Sequence, residues 1–314
     1  MKQFWALLAA GLLACLAAQA QKDPCATPGN NNDFLGIQTI RLWPGDAPLA
    51  KGVACEDIPT LTVFDSAGGG SGIGSAVIVM PSGGYSLLTG KAGREAADWF
   101  TARGFSAFVL SYRLSSHGYL MPAPLLDARR AVQLVRARAR DYQIDPHRIV
   151  VAGFSAGGHL AALSATKFVP GNPDAEDPIE RVSSRPDYLV LGYAWIGAFD
   201  SSTGYCKLFK TTDGCAALRA EYSPDLFVTR DTPPTFVYHT YNDESVPVVQ
   251  GLRFFEALEK AGVPAEMHIF ASGPHGSGLG KGDPALDQWP NLMENWLRAQ
   301  GLLTPYKSAA GLKP

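Results

Sequence analysis

Charge is scarce in this sequence. Asp, Glu, Lys and Arg make up 18% of the 314 residues and nearly cancel, leaving a formal net charge of −2. That balance gives no electrostatic case for nucleic acid or an anionic membrane surface as a partner. The one dense group of cations, Arg129, Arg130, Arg136, Arg138 and Arg140, recurs at helical spacing among Ala, Val and Leu and reads as a solvated helix face. Phosphate-loop chemistry is missing as well. Residues 67–74 (AGGGSGIG) are glycine-rich but lack the Lys-Ser/Thr of a P-loop and precede a strand, so they read as a flexible turn. No histidine stands at ligand spacing from a cysteine pair, so a metal is not expected. Nothing repeats and no linker divides the chain, which leaves one large domain.

What is present begins with a targeting segment. Lys2 supplies the positive start, an apolar run follows over residues 4–16, and Ala18-Gln19-Ala20 forms an A-x-A cleavage site, so residues 1–20 read as a signal peptide. The run is too short to span as a retained transmembrane helix, and none is expected after processing. A second reading, from Leu12-Leu13-Ala14-Cys15, makes Cys15 an acylated lipoprotein cysteine. Either way the mature protein is expected outside the cytoplasm, periplasmic or secreted. There Cys25, Cys55, Cys206 and Cys215 are an even set suited to two disulfides. Cys206 and Cys215 flank a short loop and pair locally, which leaves Cys25 for Cys55. Residues 21–35 read as an extended lead-in, and 36–305 as the domain proper.

Inside the domain the pattern alternates. Strands are expected at 76–80, 107–111, 148–152, 188–193, 235–239 and 266–270, and helices at 92–103, 125–142, 156–167, 248–261 and 286–300. Apolar strands buried on both faces and separated by helices of this length indicate an α/β class with a mostly parallel sheet and right-handed crossovers. Two earlier candidates, 37–43 and 61–64, add an antiparallel edge. Residues 197–233 read as an insertion over the carboxyl edge of the sheet, where open α/β folds bind ligands.

Gly153-Phe154-Ser155-Ala156-Gly157 matches G-x-S-x-G, between a strand and a helix. The glycines permit the tight turn that lifts a serine hydroxyl out of the sheet. A serine is a poor nucleophile without a base. Of six histidines, His275 in Gly273-Pro274-His275-Gly276 lies just past the last strand and is the expected base. His147 reads as a turn residue and His159 as packing on the helix. His239 reads as packing beneath the site, His268 as a strand residue, and His117 as a substrate contact. Asp243, in the loop after 235–239, is the expected orienting acid, with Glu244 and Asp200 as rivals. Gly83 and Gly84, after the strand at 76–80, are expected to offer a backbone N–H to an oxyanion together with Ala156. Tyr85 and Trp195 are candidates to stack on a sugar or line an acyl pocket.

The segments PSGGYSLL, FVLSYRL, PAPLLDARRAVQLVRARAR, IDPHRIVVAGFSAGGHLAA, DTPPTFVYHTYNDESVPV and SGPHGSGLG closely resemble bacterial α/β-hydrolases of the acetyl-xylan-esterase-like group. The resemblance runs over about residues 76–300. It implies the α/β-hydrolase fold, deacetylation of plant-wall polysaccharide or oligosaccharide (removal of short acyl groups, acetyl foremost) without a cofactor, and Ser155, Asp243 and His275 at the triad positions. Three departures surround the expected pocket. Ser82 stands where the family usually has a first glycine, Ala194-Trp195-Ile196 replaces a proline-containing segment, and the cysteine-flanked insertion is unusual. A peptidase of the prolyl type shares the serine turn, and a non-catalytic carbohydrate-binding protein is the rival from another class.

Overall fold

The computed structural model describes residue 25 and residues 38–64, 73–197 and 215–305. Among these, the runs rich in Val, Ile and Leu form strands β1 (Thr39–Arg41), β2 (Thr60–Phe64), β3 (Ala76–Met80), β4 (Ser106–Ser111), β5 (Ile149–Phe154), β6 (Tyr188–Gly192), β7 (Thr235–Thr240) and β8 (Ala265–Phe270). They make one sheet in the order β1-β2-β4-β3-β5-β6-β7-β8. The β1–β2 and β2–β4 pairs are antiparallel and all the others parallel, so the antiparallel edge expected from the two early candidates is present.

Helices α1 (Gly90–Thr101), α2 (Ala123–Ala137), α3 (Ala156–Thr166), α4 (Cys215–Tyr222), α5 (Val249–Lys260) and α6 (Trp289–Ala299) connect or flank the strands. Alternation along each strand sorts them into layers. Ile78, Met80, Ile149 and Val151 face a core shared with α2, α3 and α5. Val77, Val79, Val150 and Ala152 face the opposite core, filled by Phe100 of α1 and by Trp289, Met293 and Trp296 of α6. Burial on both faces explains why these strands read as unbroken apolar runs.

The arginine group of α2 departs from expectation. Arg138 and Arg140 are exposed, but Arg130 and Arg136 are buried. The segment after α3 folds back over the helix and brings them anions. Arg130 Nη2 lies 2.6 Å from Asp177 and Arg136 Nη2 2.8 Å from Asp187. The carbonyls of Leu42, Pro146 and Ser183 take further N–H groups. A guanidinium can be buried when an anion and carbonyls meet most of its donors, although Arg130 Nη1 stays without a hydrogen-bond partner among the described residues. Helix α2 also ends at Ala137, earlier than the sequence pattern suggests, and continues as turns. The expected insertion, 197–233, starts five residues past the end of β6 at Gly192. Its residues 198–214, with Asp200, Cys206 and the local disulfide, lie outside the described residues.

Candidate active site

Strand β5 delivers Phe154 into α3 through a single residue. Ser155 has φ 53° and ψ −121°, a conformation that costs a non-glycine residue about 1–3 kcal/mol and survives only where its surroundings enforce it. Here three backbone bonds do so. Ser155 N–H donates to the Gly192 carbonyl at 3.1 Å, and the Ser155 carbonyl accepts from Trp195 N–H at 3.0 Å and His159 N–H at 3.1 Å. The flanking glycines are required by close approach. A Cβ on Gly157 would stand 2.1 Å from the Met80 carbonyl oxygen, and one on Gly153 would stand 2.3 Å from the Gly157 carbonyl oxygen. The helix start is thereby pressed against the end of β3.

Ser155 Oγ lies 2.9 Å from His275 Nε2, across a sequence separation of 120 residues. On the other side of the ring, His275 Nδ1 lies 2.8 Å from Asp243 Oδ2. The second carboxylate oxygen accepts the N–H groups of Ser245 at 2.9 Å and Val246 at 2.8 Å. Burial alone would raise the Asp243 pKa. Hydrogen bonds from the two neighbouring histidines and from the Val246 N–H outweigh it and hold the carboxyl well below the usual carboxylate range. His239, fully buried beneath, has Nε2 3.5 Å from Asp243 Oδ2 but 2.7 Å from the Val246 carbonyl. The carbonyl is its nearer partner, so the carboxylate feels this imidazole as a longer-range donor. Glu244, the adjacent rival, is exposed.

The loop that carries His275 is pinned from several sides. Gly273 N–H donates to Asn242 Oδ1 at 2.9 Å, and Thr240 Oγ1 donates to the Gly273 carbonyl. The Gly278 carbonyl accepts from Tyr238 at 2.8 Å and from Trp289 Nε1 at 3.2 Å. Those two rings stack with centroids 4.0 Å apart. Tyr193 meets the His275 ring edge-on at 5.1 Å. None of Tyr193, Tyr238 and Trp289 was marked by sequence, where each reads as one more aromatic in an apolar segment.

Gly83 and Gly84 stand in the loop after β3 with φ of 132° and 61°. Gly83 has no room for a side chain, since a Cβ would lie 2.0 Å from the Leu87 carbonyl oxygen. Ser82, in place of the usual glycine, closes the loop through Oγ, 2.6 Å from Thr89 Oγ1. The contact of Gly157 with Met80 and Pro81 brings this loop beside Ala156 at the start of α3, where the helix dipole favours negative charge.

The three candidate substrate contacts fare differently. Tyr85 is 2% exposed, which leaves too little surface to stack on a sugar. Its hydroxyl is instead 2.7 Å from His159 Nδ1, because the left-handed backbone at Tyr85 (φ 61°) turns the ring inward onto α3. Trp195 is half-buried, packed against the α2–α3 core with its ring 5.5 Å from His159. His117 is exposed in a cleft of about 140 Å³ with Cys55, Glu56 and Leu88, a cleft that contains no residue of the Ser155–His275–Asp243 line. Cys25 stands against Cys55 with Cα atoms 4.9 Å apart, within disulfide range.

A hydroxyl, an imidazole and a buried carboxylate in line, beside a helix start and a glycine loop, can move a proton off the serine and receive an oxyanion. Residues 74–182 match the family designated BD-FAE, and residues 209–300 match the prolyl oligopeptidase family. An acetylxylan esterase of Xylanibacter ruminicola is 32% identical over 233 residues, 72% of this chain and 46% of that protein. Endo-1,4-beta-xylanase B of Butyrivibrio fibrisolvens is 34% identical over 211 residues, 64% of this chain and 32% of that protein. The chain thus spans less than half the length of these two relatives. The crystal structure of an acetyl ester-xyloside bifunctional hydrolase from Caldicellulosiruptor lactoaceticus is similar at a TM-score of 0.73 and 38% identity, covering 84% of this chain and 97% of that one. Sheet order, serine turn and these similarities agree that the chain belongs to the α/β-hydrolase family of esterases.

Proposed function

We propose that the protein is an exported serine esterase that removes short acyl groups, acetyl foremost, from plant-wall carbohydrate. One observation carries the mechanism: Ser155 Oγ, His275 and Asp243 share a line of hydrogen bonds of 2.9 and 2.8 Å. Ser155 attacks the ester carbonyl while His275 Nε2 takes its proton, and Asp243 holds the imidazole in the tautomer that leaves Nε2 free to accept it. The tetrahedral oxyanion is met by the N–H groups of Ala156 and of Gly83 or Gly84, each donor contributing about 3 kcal/mol. His275 passes the proton to the leaving alcohol. A water that gives its proton to His275 then attacks the acyl-serine, releasing the acid and restoring Ser155.

The acetylated-carbohydrate substrate rests on the printed names of the relatives, an acetylxylan esterase and an acetyl ester-xyloside hydrolase. Export rests on the leader-like residues 1–20 and on the proximity of Cys25 and Cys55. Among the described residues no helix is long and apolar enough to cross a membrane. Turnover of p-nitrophenyl acetate by wild type and by Ser155→Ala tests the mechanism. Loss of at least a thousandfold is expected, and equal rates would refute it. Acetate release from acetylated xylan, pectin and xyloglucan fragments tests the substrate. A peptidase reading is favoured by the prolyl oligopeptidase match over residues that include Asp243 and His275. It requires turnover of peptidyl p-nitroanilides at rates comparable with the esters.

A further inference from the structure

One buried imidazole has no part in the proton transfers above. His159 sits one turn into α3, fully buried, with its own N–H bonded to the Ser155 carbonyl at 3.1 Å. Its ring bridges two other parts of the molecule. Nε2 lies 2.7 Å from the Tyr222 carbonyl at the end of α4, and Nδ1 lies 2.7 Å from the Tyr85 hydroxyl in the glycine loop. A carbonyl can only accept, so Nε2 carries the proton. Nδ1 of the neutral ring is then bare and accepts from Tyr85. Burial favours that neutral form and lowers the His159 pKa to about 4.

Tyr85 itself is an unusual residue to find in the left-handed region, and it follows directly on Gly83 and Gly84. It is held at both ends. Its carbonyl accepts from Ser115 N–H at 2.8 Å and Ser115 Oγ at 3.0 Å, and its hydroxyl reaches His159. The two glycines have no side chain of their own to fix their amides, so this neighbour helps set their direction, together with the Ser82–Thr89 contact and the Ser86 and Leu87 N–H groups on the Gly83 carbonyl.

We propose that His159 is a positioning residue for the oxyanion hole: by accepting the Tyr85 hydroxyl it locks the Gly83–Gly84 loop onto the helix that carries Ser155. The inference rests on the serine-esterase reading of Ser155. It also ties the loop, through the Tyr222 carbonyl, to the element that follows residues 198–214.

Steady-state turnover of p-nitrophenyl acetate, with inhibition by an acetyl-sized trifluoromethyl ketone whose adduct bears the oxyanion, tests this. Tyr85→Phe, which removes one oxygen and keeps the ring, should lower kcat at least tenfold with KM within twofold. The ketone Ki should rise by the same factor. His159→Gln, whose amide reaches the Nε2 position, keeps the Tyr222 contact and should lose as much. His159→Asn places its Oδ1 near the Nδ1 position, keeps the Tyr85 bond, and should recover most of kcat. The double variant Tyr85→Phe/His159→Gln should be no worse than the poorer single variant, as two changes in one link are not additive. Wild-type kcat and Ki in Tyr85→Phe would overturn the proposal, as would His159→Asn being as poor as His159→Gln. Ser155→Ala in the same assay separates the two failures. If it is dead while Tyr85→Phe is normal, only the role of His159 falls; if it still turns over, both readings fall.

Discussion

Asp243 keeps its charge in a buried place because three N–H groups are directed at it, and its two oxygens do different work. Oδ1 takes the N–H groups of Ser245 and Val246, and Oδ2 faces His275 Nδ1. In Asp243→Asn the amide oxygen must stay with those two N–H groups, which turns the NH2 towards Nδ1. The imidazole then has to accept there and carries its proton on Nε2, facing the Ser155 hydroxyl, where it can no longer act as a base. We expect kcat to fall by about 10³–10⁴-fold with KM little changed. A fall of less than tenfold would remove Asp243 from the mechanism. At this scale the sequence was most readable where geometry is local. The serine turn is five consecutive residues, and the order Ser155, Asp243, His275 limits the partners. The inward turn of Tyr85 was not legible, because it depends on a partner on α3, which no spacing within its own loop can show. Tyr193, edge-on to His275, carried no signal at all.

Helix α2 is fastened by ions on more than one side. Beyond its bonds to Asp177 and Asp187, its Asp127 is fully buried against Arg113, with Arg113 Nη2 2.7 Å and the Arg113 N–H 2.9 Å from the carboxylate. Neither side chain has any exposed surface. Asp127→Ala would leave the Arg113 guanidinium without its anion and should cost about 3–5 kcal/mol in urea unfolding. Replacing both together, Arg113→Met with Asp127→Leu, should cost clearly less. A double variant as weak as the single would mean that packing, and not the orphaned charge, sets the loss. The position of α2 was legible from its apolar positions. The burial of its cations was not, because the acids that cover them lie some distance along the chain, beyond α3, and arrive only when that segment folds back.

For the molecule as a whole, the buried imidazole at 159 couples folding to acidity. An unfolded histidine titrates near 6.5, and the burial that lowers His159 to about 4 means the unfolded chain takes up this proton first as pH falls. Its contribution is fully present above about 6.5 and is lost as pH drops towards 4, a loss of at most about 3 kcal/mol. Asp243, held low, adds a loss in the same direction in more acidic solution. Asp127 acts oppositely. Burial, against the pull of Arg113, raises its pKa to about 6, so its share improves as pH falls below 6. The difference between wild type and His159→Asn isolates the imidazole. Urea midpoints of the two should converge between pH 6.5 and 4, and parallel curves would show that residue 159 does not titrate with folding. The parallel sheet itself was readable from alternating apolar runs and helices. The pairing of β4 between β2 and β3 was not, since the sequence of strands along a chain does not state their order across it.

The backbone at Ser155, with its φ of 53°, sets reactivity against durability. Glycine tolerates that dihedral and serine does not, so an inactive Ser155→Gly protein should outlast the working one, by about 1 kcal/mol once glycine's extra freedom in the unfolded chain is subtracted. Ser155→Ala, equally inactive, retains the dihedral penalty and should melt below Ser155→Gly in scanning calorimetry. On the proposed mechanism, then, the residue that would attack the ester is also one that the fold would hold more easily as glycine.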